Sequence, residues 1–182
     1  VMLVDDEYMI LEGLKQILPW HELGFKIVKT ARTGTEALAY LKNATVDLVI
    51  SDITMPEMTG IEMIDKAYQR GDKFAAIFLS GYQEFEYVKE GIRLGVKDYL
   101  VKPVDQEELL AIVEKIKIEL DKTVHRQEQE QLVLENSLSR WLNDELNETD
   151  FYELMDHFGT NPFGPFTVIK ILSESDILLA IL

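Results

Sequence analysis

Two rhythms of apolar and polar positions alternate along the first part of the chain. Residues 1–4, VMLV, are an uninterrupted apolar run, and Ile10, Leu11, Leu14, Ile17 and Leu18 then recur at helical spacing until Pro19. The change repeats. A strand is expected around 25–31, led in by Gly24, before Ala37, Leu38 and Leu41 behind Gly34 and Thr35, and the run VDLVIS at 46–51 precedes Ile61, Ile64 and Ala67. Residues 74–79 precede Phe85, Val88, Ile92 and Leu94, closed by Gly95, and residues 96–101 lead into a helix starting near Asp105. Short buried strands alternating with helices predict an α/β fold, a doubly wound parallel sheet with right-handed crossovers and helices on both faces.

The pattern changes after residue 104. No proline or glycine interrupts residues 104–158, and Leu109, Ile112 and Ile116 make one face suited to the sheet. A second stripe of three-four spacing runs through Leu110, Val113, Lys117, Leu120, Val124, Gln127, Gln131, Leu134, Leu138 and Trp141. It predicts an extended helix over 105–148 that pairs as a coiled coil, against the simpler expectation of one amphipathic helix lying on its own domain. Asp150 with Glu153 marks the start of another helix, Gly159 its end, and the alternation over 166–172 a strand. Residues 149–182 are therefore expected to begin a second small domain, following a first domain at 1–120. The chain opens directly on a strand and closes on ILLAIL, so it is expected to be part of a longer protein.

Composition narrows the class. The 182 residues are 47% hydrophobic and 28% charged, without cysteine, and no stretch approaches the roughly 18 apolar residues of a membrane span. A cytoplasmic location and no membrane partner are expected. The net charge of −15 disfavours nonspecific contact with nucleic acid, and it is uneven, −4 over residues 1–104 and −11 over 105–182.

The predicted topology brings the loops after all strands to one sheet edge. Asp5, Asp6, Asp52, Ser80 and Lys102 then converge from distant parts of the sequence, where open α/β sheets carry their chemistry. Taken singly, each has an ordinary reading: Asp52 and Ser80 as turn residues, Asp5-Asp6-Glu7 as an acidic helix start, Lys102 as a solvated charge. Together they describe carboxylates that repel unless a cation holds them, and a set of oxygen donors suits Mg²⁺. Asp52 is then available as a nucleophile, with Lys102 and the Ser80 hydroxyl against developing phosphoryl charge.

The motifs VDDE, SDITMPEMTG, LSGY and KDYLVKP resemble the receiver domain of two-component response regulators over about residues 1–120. The resemblance implies a flavodoxin-like sheet of strand order 2-1-3-4-5. It also implies Asp52 as phosphoacceptor, and Asp5, Asp6, Asp52 and the Thr54 backbone carbonyl as Mg²⁺ ligands. Ser80 and Tyr99 would be the switch pair, Lys102 the contact to the phosphoryl group, and Lys102-Pro103 a bond commonly cis. A sensor histidine kinase is the implied partner, with homodimerisation through the helical linker or the Tyr99 face. The wording SGYQEFEYVKEGIRLGVKDYLVKPVDQEEL is most similar to regulators ending in an AraC-type helix-turn-helix, so DNA would be reached only through an output domain outside these residues. Such a protein is a signalling phosphoacceptor, not an enzyme acting on separate substrates. Two alternatives stand beside it, an aspartate-nucleophile Mg²⁺ phosphatase of the haloacid dehalogenase type and a silent dimerisation scaffold. The phosphatase pattern asks for a second Asp two positions after the nucleophile, where Glu7 follows Asp5 and Thr54 follows Asp52.

Overall fold

The computed structural model describes residues 1–81, 93–143, 147–157, 168–172 and 177–181. They divide into two compact units, Val1–Asp121 and Lys122–Leu182.

The first unit contains β1 Met2–Val4, α1 Tyr8–Ile17, β2 Lys29–Ala31, α2 Gly34–Leu41, β3 Leu48–Asp52, α3 Gly60–Gln69, β4 Ala75–Ser80 and β5 Asp98–Val101. The start of α4, Gln106–Leu142, belongs to it as well. The strands form one parallel sheet in the order β2-β1-β3-β4-β5. Because side chains alternate across a strand, the three inner strands β1, β3 and β4 feed two cores. Leu3, Leu48, Ile50, Ile77 and Leu79 join Leu11 and Leu14 of α1 and Leu109, Ile112 and Ile116 of α4 on one face. Met2, Val4, Val49, Ala76 and Phe78 meet Ala37 and Leu41 of α2 and Ile61, Met63, Ile64 and Ala67 of α3 on the other.

Several boundaries differ from the sequence expectation. The second strand is shorter, because Gly24 at φ +80° and the Phe25 N–H to Trp20 carbonyl bond (2.8 Å) keep the lead-in irregular. Phe25 and Ile27 still pack on the core from there. Helix α2, by contrast, starts at Gly34 as the Gly34-Thr35 signal expects, and Thr33 before it is the cap, its side chain accepting the Glu36 N–H. The fourth helix expected over Phe85, Val88 and Ile92 falls outside the described residues, while Arg93 and Leu94 are helical and Gly95 follows at φ +77°.

The second stripe of the long helix is not free along its whole length. Val113 is fully buried in the first unit's core, and Leu110 and Leu120 pack against it, because residues at i, i+3, i+4 and i+7 give a helix an apolar face wider than one line. Val124 is the first large apolar residue of that stripe exposed, at 53%.

In the second unit, α5 Glu148–His157 starts earlier than its Asp150 signal, since the Asp150 N–H donates to Asn147 Oδ1 at 2.9 Å and makes Asn147 the cap. Arg140 Nη1 lies 3.1 Å from Asp150 Oδ2. Strands β6 Val168–Leu172 and β7 Ile177–Ile181 pair antiparallel, with Lys170 opposite Leu179. Gly159 and the loop before β6 lie outside the described residues.

Candidate functional site

The sheet's carboxyl edge is assembled strand by strand. Asp5 follows β1 directly; its N–H donates to the Ala31 carbonyl at 3.1 Å, and its Oδ1 accepts the Glu7 N–H at 2.9 Å, closing a local turn. Asp52 is the last residue of β3 and pairs in register with Leu79, in the middle of the sheet. Asp5 is fully buried and Asp52 6% exposed, while Asp6 is partly buried. One carboxylate oxygen from each of Asp5, Asp6 and Asp52 lies within 4.8 Å of the others.

Lys102, just past β5, reaches back over this cluster. Its Nζ is 2.8 Å from Asp5 Oδ2 and 2.8 Å from Asp52 Oδ1. Burial works against its charge, but the close contacts and charges of Asp5 and Asp52 outweigh that and hold the ammonium above the ordinary lysine value. Asp5 Oδ2 nonetheless has no well-directed hydrogen bond, so the Lys102 contact there is one of charge. A fully buried carboxylate oxygen without such a bond, in a set made only of oxygens, fits a small hard cation such as Mg²⁺.

Backbone bonds tie the edge together. The Ile53 N–H donates to the Leu79 carbonyl at 3.0 Å and the Lys102 N–H to the Ser80 carbonyl at 2.8 Å, so the ends of β3, β4 and β5 are held beside one another. Ser80 is 2% exposed at the end of β4. Tyr99 lies opposite Phe78 in register and is 40% exposed. Thr54 is an exposed residue of the loop after Asp52. The Lys102-Pro103 bond is cis.

That loop is built to tight tolerances. Glu57 has φ +66°, and the Met58 N–H donates to the Pro56 carbonyl at 2.8 Å, which is a γ-turn of the rarer, left-handed kind. Thr59 and Glu62 form a reciprocal capping box that starts α3. Gly60 donates to the Ile53 carbonyl at 2.8 Å and sits against the strand end with no room for a side chain.

Asp5, Asp6, Asp52, Ser80 and Lys102 thus share one edge, as the topology predicts, whereas Tyr99 faces solvent. One neighbour escaped the sequence reading. Arg32 follows β2 as Asp5 follows β1, and its Nε and Nη2 donate to the Asp6 carbonyl at 3.2 and 2.9 Å. The signal was available in the rule that every strand end reaches this edge.

Comparison with known proteins places the geometry. The family description "Response regulator receiver domain" matches residues 1–114. The transcriptional regulatory protein YesN of Bacillus subtilis, uncharacterized by its description, is 38% identical over 127 residues, 69% of this chain and 34% of that protein. The transcriptional regulatory protein HptR of Staphylococcus aureus is 42% identical over 113 residues, 62% of this chain and 44% of that one. Among solved structures, the REC domain of AraT, a response regulator from Geobacillus stearothermophilus, is 36% identical with a TM-score of 0.63, over 67% of this chain and 95% of that domain. The chain spans less than half the length of these curated relatives. Among the described residues no helix is long and apolar enough to cross a membrane. A parallel sheet of order 2-1-3-4-5, an acidic cluster bridged by a lysine at its carboxyl edge, and a match over residues 1–114 agree: the chain belongs to the response regulator receiver domain family.

Proposed function

We propose that this chain is the phosphoaccepting switch of a two-component regulator, with Asp52 as the phosphorylated residue and a sensor histidine kinase as donor. The observation that supports it most is the setting of Asp52: last residue of the central strand, 6% exposed, with Asp5 and Asp6 alongside and Lys102 Nζ at 2.8 Å. An Asp52 oxygen attacks the phosphorus of a phosphohistidine. The P–N bond breaks with its electron pair on the imidazole nitrogen, which takes up a proton, and an acyl phosphate forms on Asp52. Asp5, Asp6 and Asp52, with the Thr54 backbone carbonyl, would hold Mg²⁺, which when bound supplies positive charge against the phosphoryl oxygens.

Lys102 carries its charge to a phosphoryl oxygen once Asp52 is phosphorylated, and the Ser80 hydroxyl donates to another. Moving Ser80 opens space into which Tyr99 turns, a population shift between two packings. The readout is transcriptional, since YesN and HptR carry that description, through an AraC-type output domain and a homodimer formed by α4 or the Tyr99 face.

Incubation with acetyl phosphate and Mg²⁺, followed by peptide mapping, is expected to put the phosphoryl group on Asp52 alone. Labelling that survives Asp52→Asn would overturn the assignment.

A further inference from the structure

We infer that Arg32 is a positioning residue for divalent-cation binding: by clamping the Asp6 peptide carbonyl it presents the Asp6 carboxylate to the site shared with Asp5 and Asp52. The inference rests on the reading of those three carboxylates as a Mg²⁺ site.

The three carboxylates are not equally secured. Asp52 is the last residue of a paired central strand, and Asp5 is fully buried with its N–H on Ala31 and its Oδ1 on Glu7. Asp6 lies beyond the last residue of β1 and is only partly buried. Two Arg32 donors converging on its carbonyl oxygen, at 3.2 and 2.9 Å, supply its anchor. A guanidinium suits this task because its planar fork fixes direction as well as distance.

Arg32 is itself held in place. Its N–H donates to Glu36 Oε2 at 2.9 Å, and Glu36 Oε1 accepts from Lys29 Nζ at 2.6 Å. Thr33 caps the same helix, so the end of β2 and the start of α2 form a rigid mount. Metal sites depend on such supporting groups because a ligand that must be ordered on binding loses affinity.

Arg32 also carries a positive charge near a cation site, and this makes the sign of its effect informative. A group acting only through charge repels Mg²⁺, so its removal tightens binding. A group acting through position preorganises Asp6, so its removal weakens binding. Arg32→Lys keeps the charge and loses the fork.

Isothermal titration with MgCl₂ decides between them, using this chain as wild type, Arg32→Ala and Arg32→Lys. Both variants are expected to bind Mg²⁺ roughly 10-fold more weakly, at the low end of supporting-residue effects, with Arg32→Lys at least as weak as Arg32→Ala. Labelling by acetyl phosphate should need correspondingly more Mg²⁺ for half its maximal rate and reach the wild-type rate at saturation. Thermal melting in EDTA should match wild type. Unchanged or tighter binding by Arg32→Ala overturns the inference while leaving the Mg²⁺ reading intact, and so does a loss of EDTA stability that accounts for the weaker binding. Absence of Mg²⁺ binding by the wild type overturns both.

Discussion

Gly60 is pressed against Asp52 so closely that a β-carbon on it would lie 2.0 Å from the Asp52 carbonyl oxygen and 2.7 Å from Ser51 Oγ. The obstacle is backbone, which cannot swing aside as a side chain tip does. Gly60→Ala is therefore expected to cost on the order of 3 kcal/mol, the upper range for overpacking, and to displace the end of β3. Chemical denaturation and the rate of acetyl phosphate labelling check the two effects together. A variant of wild-type stability that labels at the wild-type rate would contradict the close approach.

Lys102 links stability to pH and to metal. Its folded-state pKa is raised, so its stabilising contacts are complete below the unfolded lysine value of ~10.4 and are lost as pH rises through the folded value. The stability difference between wild type and Lys102→Met should be constant near neutrality and shrink in that alkaline range. At neutral pH in EDTA the variant should lose roughly 1–3 kcal/mol, because Asp5 and Asp52 are left with uncompensated buried charge. Mg²⁺ replaces the missing charge, so titration should find tighter Mg²⁺ binding and recovered stability. A Lys102→Met protein equally stable in EDTA and in Mg²⁺ would count against the charge balance described.

Ser80 is buried at the end of β4 and Tyr99 exposed on β5, which defines the two ends of the proposed switch. In Ser80→Ala, phosphorylation of Asp52 should persist while the response of the Tyr99 ring to beryllofluoride, followed by NMR, is reduced. An undiminished Tyr99 response would separate the two residues.

Dimerisation through α4 is expected to begin at Val124, since Val113, Leu110 and Leu120 already serve the first unit's core. Leu134, Leu138 and Trp141 continue the stripe in sequence, and each large side chain buried in a dimer would contribute roughly 1.5–3 kcal/mol. Gln127 and Gln131 weaken the middle, and the −11 charge of residues 105–182 opposes pairing until salt screens it. Sedimentation should find a dimer that strengthens with ionic strength and is lost in Leu134→Asp, Leu138→Asp. A monomer at tens of micromolar at every salt concentration would remove α4 as the contact.

Much of this protein was determined by its sequence alone. Alternating strand and helix periods define the sheet, and right-handed crossovers bring Asp5, Asp52, Ser80 and Lys102 to one edge, because parallel strands must all end on the same side. Tertiary structure decided what no periodicity encodes. Val113 is core because α4 packs an apolar face wider than one line of residues on the first unit, a fact absent from a heptad pattern. Gly60 is needed for a contact with a residue eight positions earlier, visible only when α3 is laid against β3. Arg32 lacks any local motif, and its bond to the Asp6 carbonyl exists because β1 and β2, separated by a whole helix in sequence, are neighbours in the sheet. Hydrophobic pattern is a one-dimensional record of which face is buried; hydrogen bonds between strand ends depend on distances that only the packed sheet defines.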